Sequence, residues 1–141
     1  MKVVLDSNVV LSGFFFGGVP GRILEAWNAG RIEVILSASI LAEYRQAAAV
    51  LESKYGGSDF EAFAALLVLN SEFVDAPDHL NEAVCADPDD DKFLACALAS
   101  GSRLIVSGDE HLLEVSGWQK IEVLKPRAFV DRYLSDRKGG A

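Results

Sequence analysis

The 141 residues hold only two cysteines, Cys85 and Cys96, and two histidines, His79 and His111. Two thiols are too few for a disulfide framework, and no Cys/His cluster has the spacing of a zinc site. Basic residues are in the minority, 13 against 21 acidic, giving a formal net charge of −8. That balance excludes nucleic-acid binding through bulk positive charge. It leaves open an acidic pocket offset by metal ions and a local basic rim. No apolar run approaches the roughly 18–20 residues that span a bilayer. The first apolar stretch is broken by Asp6 and lacks a small-residue cleavage site, so it does not read as a signal peptide. The expectation is a cytoplasmic protein with no membrane association. G-x-G-x-x-G and G-x-x-x-x-G-K-[ST] are both missing, which removes a dinucleotide fingerprint and a P-loop.

What is there is a globular composition, 50% hydrophobic and 24% charged, of a length that suits one domain. We expect that domain over residues 1–134 and a frayed tail over 135–141. Strand-like runs at Lys2–Leu5, Ile32–Leu36, Glu72–Val74, Arg103–Ser107 and Ile121–Leu124 alternate with helix-like ones. Gly17, Gly18, Pro20 and Gly21 read as a loop, and Arg22–Asn28 as a short helix ending at Gly30. Ser37 and Ser39 are N-cap candidates for a helix from Ala38 through Leu51. Ser58-Asp59-Phe60-Glu61 has the form of a capping box that opens a helix to Asn70. Asp91–Ser100 is an Ala- and Leu-rich helix closed by Gly101. Leu112–Val115 reads as helical, and Pro126 starts a last helix that reaches Leu134. The βα alternation implies an α/β fold: a three-layer α/β/α sandwich around a mostly parallel five-stranded sheet.

In such a sheet ligands bind beyond the carboxyl ends of the strands. Asp6 follows the first strand and Asp109 the fourth. Asp91 lies in the first turn of the helix that feeds the fourth strand, and Glu43 about a turn into the helix after the second. Each has an ordinary alternative as a turn, cap or solvated charge, and helix N-termini favour acids such as Asp89, Asp90 and Asp91. Their joint placement at one edge is what points to a site. Clustered carboxylates repel one another unless a cation neutralises them. Hard oxygen ligands suit Mg²⁺ or Mn²⁺, as one ion or two, and such a site can activate water and steady charge on a phosphorus centre. His79 and His111 read as surface or loop residues.

VVLDSNVVLS around Asp6, SASILAEYR around Glu43, DDDKFLACALASG from Asp91 and LIVSGDEHLL around Asp109 resemble the PIN domain. More closely, they resemble the small toxin-type (VapC-like) PIN proteins of prokaryotic toxin–antitoxin modules. The resemblance covers Met1 to about Leu134. It implies metal-dependent hydrolysis of RNA phosphodiesters, a small antitoxin partner whose C-terminal segment blocks the site, and a homodimer. It implies Asp6, Asp91 and Asp109 as metal ligands, Glu43 as a ligand directly or through water, and Asn8 and Ser107 as residues orienting those carboxylates. Asp91 is preferred to Asp90 because Leu94, Ala95 and Leu98 then face inward. Asp87 adds to the charge of the pocket. Arg22, Arg45, Lys54 and Arg103 are candidates for a basic rim, and Phe14, Phe15 and Phe16 for core or dimer contact.

Three other readings compete. A receiver-like phosphoacceptor module would use Asp6, Asp75, Ser107 and Lys125-Pro126, but it leaves Glu43 and Asp91 without a role. A haloacid-dehalogenase-type phosphatase needs a second Asp where Asn8 stands. A catalytically silent PIN fold acting as a binding module would have no need of all four acids.

Overall fold

The computed structural model describes residues 1–56 and 59–135. Five strands, β1 (Lys2–Leu5), β2 (Glu33–Leu36), β3 (Glu72–Phe73), β4 (Leu104–Val106) and β5 (Glu122–Leu124), form one sheet of order β3-β2-β1-β4-β5. Every pairing is parallel, so the sheet is parallel throughout. Consecutive residues Val3, Val4 and Leu5 are all buried, as are Val34, Ile35 and Leu36, and Leu104, Ile105 and Val106. Successive strand residues point to opposite faces, so burial of both means that helices cover both sides.

The helices are α1 (Ser7–Phe16), α2 (Gly18–Asn28), α3 (Ala38–Tyr55), α4 (Phe60–Asn70), α5 (Asp91–Ser100), α6 (Glu110–Leu113) and α7 (Pro126–Phe129), the last continuing as a π-turn over Val130–Leu134. Ser37 caps α3, its Oγ accepting the Ile40 N–H at 3.4 Å. Gly101 ends α5 in the left-handed conformation at φ 76°, which glycine adopts without steric cost. Asp59 caps α4, its Oδ1 accepting the Ala62 N–H at 3.3 Å. The Ser58 half of the expected capping box lies outside the described residues, as does the tail beyond Ser135.

One expectation is corrected. The expected glycine loop is the start of α2, with a single break at Gly17 (φ 75°), and the stretch after Asp6 is helix α1. The two helices meet at 96°. A Cβ on Gly13 would stand 2.8 Å from Leu24 Cδ1 and 2.9 Å from the Pro20 carbonyl oxygen. Glycine there permits close helix contact and does not mark a loop. Pro20 lies in the first turn of α2, where its missing N–H has no intrahelical acceptor to lose. Phe14 is partly buried and packs against the core, edge-on to Phe60 at 5.2 Å, whereas Phe16 is 62% exposed. No single helix among the described residues is long and apolar enough to cross a membrane.

The strand order also bears on the receiver-like reading. A receiver's order, 2-1-3-4-5, sets its third strand beside its first. Here β2 lies between β1 and β3, which keeps Asp75, just past β3, away from Asp6.

Candidate metal centre

The pairing of β1 with β4 sets Leu5 opposite Val106. Asp6 and Ser107 therefore leave neighbouring strands side by side. The Asp6 N–H donates to the Val106 carbonyl at 3.0 Å, and Ser107 Oγ donates to Asp6 Oδ2 at 2.6 Å. The same Ser107 oxygen accepts the Asp109 N–H at 2.9 Å. One fully buried hydroxyl thus fixes both the Asp6 carboxylate and the turn that carries Asp109. Asp109 caps α6, its Oδ1 accepting the His111 N–H at 3.3 Å. Tyr44, in α3 beside Glu43, donates its hydroxyl to the Leu5 carbonyl at 2.5 Å. That bond ties α3 to the end of β1 and so places Glu43 near Asp6.

The next carboxylate in the group is Asp90, at the end of a 3₁₀ turn over Pro88–Asp90. Its side chain hydrogen-bonds that of Asp109. Its Oδ2 lies 3.5 Å from His111 Nδ1. Ligand atoms of Asp87, Asp90 and His111 all fall within 4.8 Å of one another. Asp90 therefore has the buried Asp6 and the half-buried Asp109 on one side and the exposed Asp87 and His111 on the other.

Asp91 does not join this group. It is 1% exposed. Its Oδ1 accepts the Cys85 N–H at 2.8 Å and its Oδ2 the Val84 N–H at 3.0 Å. Both oxygens tie the loop before the 3₁₀ turn to the start of α5. Leu94 and Ala95 face inward as expected, but Leu98 is half exposed. The structure thus puts Asp90 where Asp91 was expected. Asn8 is exposed and makes no hydrogen bond to the acids of this group among the described residues. Ser107 orients Asp6 instead, and Ser7 binds Glu43.

Glu43 is spoken for at both oxygens. Lys92 Nζ donates to Oε1 at 2.7 Å, and Ser7 Oγ donates to Oε2. Lys92 is 8% exposed and stands 3.4 Å from Asp89 Oδ1. Burial, the largest single effect, pushes its ammonium down, but the bond to Glu43, the Glu43 charge and Asp89 together outweigh it and its pKa is raised. The sequence reading gave Lys92 no role. The signal was its place in a buried segment, since every residue from Asp91 to Ala97 is buried.

Burial and mutual repulsion both act on the gathered acids. Burial raises the Asp6 pKa, against the Ser107 hydrogen bond, with Glu43 and Asp109 adding repulsion. Burial also raises Asp90, to about 7, helped by the hydrogen bond with Asp109 and by the charges of Asp109, Asp87 and Asp6. A carboxylate cluster of this kind fits a hard divalent cation, which would relieve the repulsion and take the oxygens as ligands.

The four residues expected as a basic rim are dispersed. Arg103 precedes β4 and lines a cavity with Gly101 and Leu98 at the opposite edge. Arg22 lines a cavity with Arg31 and Leu134, and Arg45 pairs with Glu61 at 3.2 Å. Lys54 lies over the Tyr55 ring. Lys125, which follows β5, shares a cleft with Gly108 and Glu110 beside Asp109.

A parallel sheet with acids gathered beyond its central strands, and a group of side chains able to hold a metal, defines a nuclease-like α/β fold. A family model described as PIN domain matches residues 2–111, a span that includes every acid of the pocket. The chain is also 30% identical over 144 residues to an uncharacterized protein of Methanocaldococcus jannaschii, an alignment covering 94% of this chain and 92% of that protein. The chain belongs to the PIN domain family, whose members are generally metal-dependent nucleases.

Proposed function

We propose that the protein is a Mg²⁺- or Mn²⁺-dependent endoribonuclease, with Asp6, Asp90 and Asp109 as the metal ligands. The observation that carries this reading is the convergence of those three carboxylates, from three separate connections, on one partly buried pocket where burial and mutual repulsion raise Asp6 and Asp90. A divalent ion bound there would neutralise the acids and lend Lewis acidity to a phosphate.

The chain's own groups do the rest. Ser107 holds Asp6 and the Asp109 turn in a fixed relation. Asp91 fastens the loop that brings Asp90 to the pocket. Ser7 and Lys92 hold Glu43. Lys125, beside Gly108 at the same edge, is placed to meet a substrate phosphate. RNA as the substrate, the role of toxin in a toxin–antitoxin pair and a cytoplasmic setting rest on the likeness to small toxin-type PIN proteins. So do an antitoxin partner and a dimer. Leu66, Val68 and Leu69 of α4 are exposed, an apolar face of the kind protein partners cover.

The test is incubation of the protein and an Asp6→Asn variant with mixed single-stranded RNA, with and without Mg²⁺ or Mn²⁺. Metal-dependent cleavage lost in the variant is expected. Absence of cleavage with every metal sinks the nuclease reading, and metal binding without cleavage would favour a catalytically silent PIN fold.

A further inference from the structure

We propose that the Lys92 ammonium is the resident cation of the Glu43 end of the pocket. It stands where a second divalent ion would otherwise be needed, so the centre takes metal only toward Asp6, Asp90 and Asp109. The inference rests on the metal-centre reading above and adds a statement about how the pocket is charged.

Lys92 is an improbable residue for its position on general grounds. It lies in the first turn of α5, where the helix dipole disfavours a cation. It is buried among Phe93, Ala95 and Cys96 in sequence, and a buried ammonium is costly unless it is paired. Exposed at 8%, it is poorly placed to reach a substrate phosphate. What it does reach is Glu43 Oε1, at 2.7 Å. Ser7 takes the other oxygen, so both Glu43 oxygens are already bound by donors of this chain.

The charge balance gives this pairing its meaning. Lys92 matches the charge of Glu43, so the carboxylates left for a divalent ion are Asp90 and those gathered around it: Asp6, Asp109 and, on the exposed side, Asp87. An ammonium also differs from a metal in kind. It has no coordination position to offer to water or phosphate, so it fixes Glu43 without activating anything. Lys92 is therefore a positioning residue that acts through Glu43.

Mn²⁺ binding counted by calorimetry and by electron paramagnetic resonance tests this on the full chain. Lys92→Met is expected to bind one more Mn²⁺ per chain than the unaltered protein. The additional equivalent should disappear when Glu43→Gln is added. A structural role for Lys92 would not create a metal site, so equal, non-zero counts in Lys92→Met and the unaltered protein overturn the proposal while leaving the metal centre intact. No Mn²⁺ bound by either protein sinks the metal-centre reading as well. A second measurement needs no substitution. In ¹⁵N-lysine-labelled protein, the Lys92 ammonium resonance should keep its ion-paired shift and slow exchange when Mg²⁺ is added to saturation. Loss of that signature on Mg²⁺ binding overturns the proposal.

Discussion

Asp91 gives both its oxygens to the amides of Val84 and Cys85, and Asp90 gives its carboxyl to the pocket beside Asp109. Adjacent residues of one type are thus set to different work, and substitution should separate them. Removing Asp91 orphans two amides, one of them buried, so Asp91→Ala should lower unfolding stability by about 2–3 kcal/mol. Below its melting temperature it should keep Mn²⁺ affinity within roughly tenfold. Asp90→Asn should do the reverse, leaving ion-free stability at neutral pH equal or higher and weakening Mn²⁺ binding at least tenfold. Urea titrations and calorimetry check both. Metal binding lost in Asp91→Ala but kept in Asp90→Asn would return Asp91 to the ligand set. Ser107→Ala removes the donor to Asp6 and the acceptor of the Asp109 amide. Loss of such a supporting hydrogen bond typically costs 10–100-fold, which we expect in metal affinity or cleavage rate. The placement of Asp6, Asp109, Glu43 and Ser107 was legible because each follows or faces a strand end at one edge. The choice within Asp89–Asp91 was not. A 3₁₀ turn of three residues per turn precedes α5, and it shifts the angular phase that a 3.6-residue pattern assumes.

The elements that carry the site were read with uneven success, and α1 shows why. The sequence SNVVLSGFFF has apolar residues all around the helix, so no amphipathic stripe marks it. Its β-branched valines and Gly13 are also weak helix formers. Tertiary packing decides: Val9, Val10 and Leu11 are buried, Phe14 meets Phe60 and Phe63, and Gly13 lets α2 approach. Strands β1, β2 and β4, by contrast, declared themselves as short aliphatic runs buried on both faces, and α5 by its Asp start and Gly101 stop. Because the Gly13 contact involves the Pro20 backbone as well as the tip of Leu24, it can relax only in part. Gly13→Ala should lower unfolding stability by about 1–3 kcal/mol, as overpacking does, despite the better helix propensity of alanine. A urea denaturation midpoint equal to or above that of the unaltered protein would show that the two helices can move apart at no cost.

For the whole molecule the gathered acids make folding and cation binding one equilibrium. Around Asp90 stand Asp109, Asp87, Asp6 and, at 3.5 Å, the His111 ring, with Lys92 already engaged by Glu43. The folded-state pKa of Asp90 is about 7 against an ordinary 3.8, and that of Asp6 is also raised. A group whose pKa is raised by folding favours the folded state fully below its unfolded pKa. That advantage is lost as pH climbs through the folded pKa. For Asp90 the window runs from about 4 to about 7, so its contribution in the ion-free protein should fall across that range. A divalent ion reverses the sense, because it binds the deprotonated carboxylates. At a hundred times its dissociation constant it stabilises the folded state by about 2.7 kcal/mol. Thermal melts from pH 5 to pH 8 should therefore show a gap between Mg²⁺-saturated and ion-free protein that widens with pH. At the upper end it should reach on the order of 10 °C for a chain of this length. In Asp90→Asn the ion-free melting temperature should fall less over the same range, and the widening should largely vanish. A gap that stays constant with pH in the unaltered protein would mean that protons and the metal do not compete for these oxygens, and the ligand set would have to be sought elsewhere on the molecule.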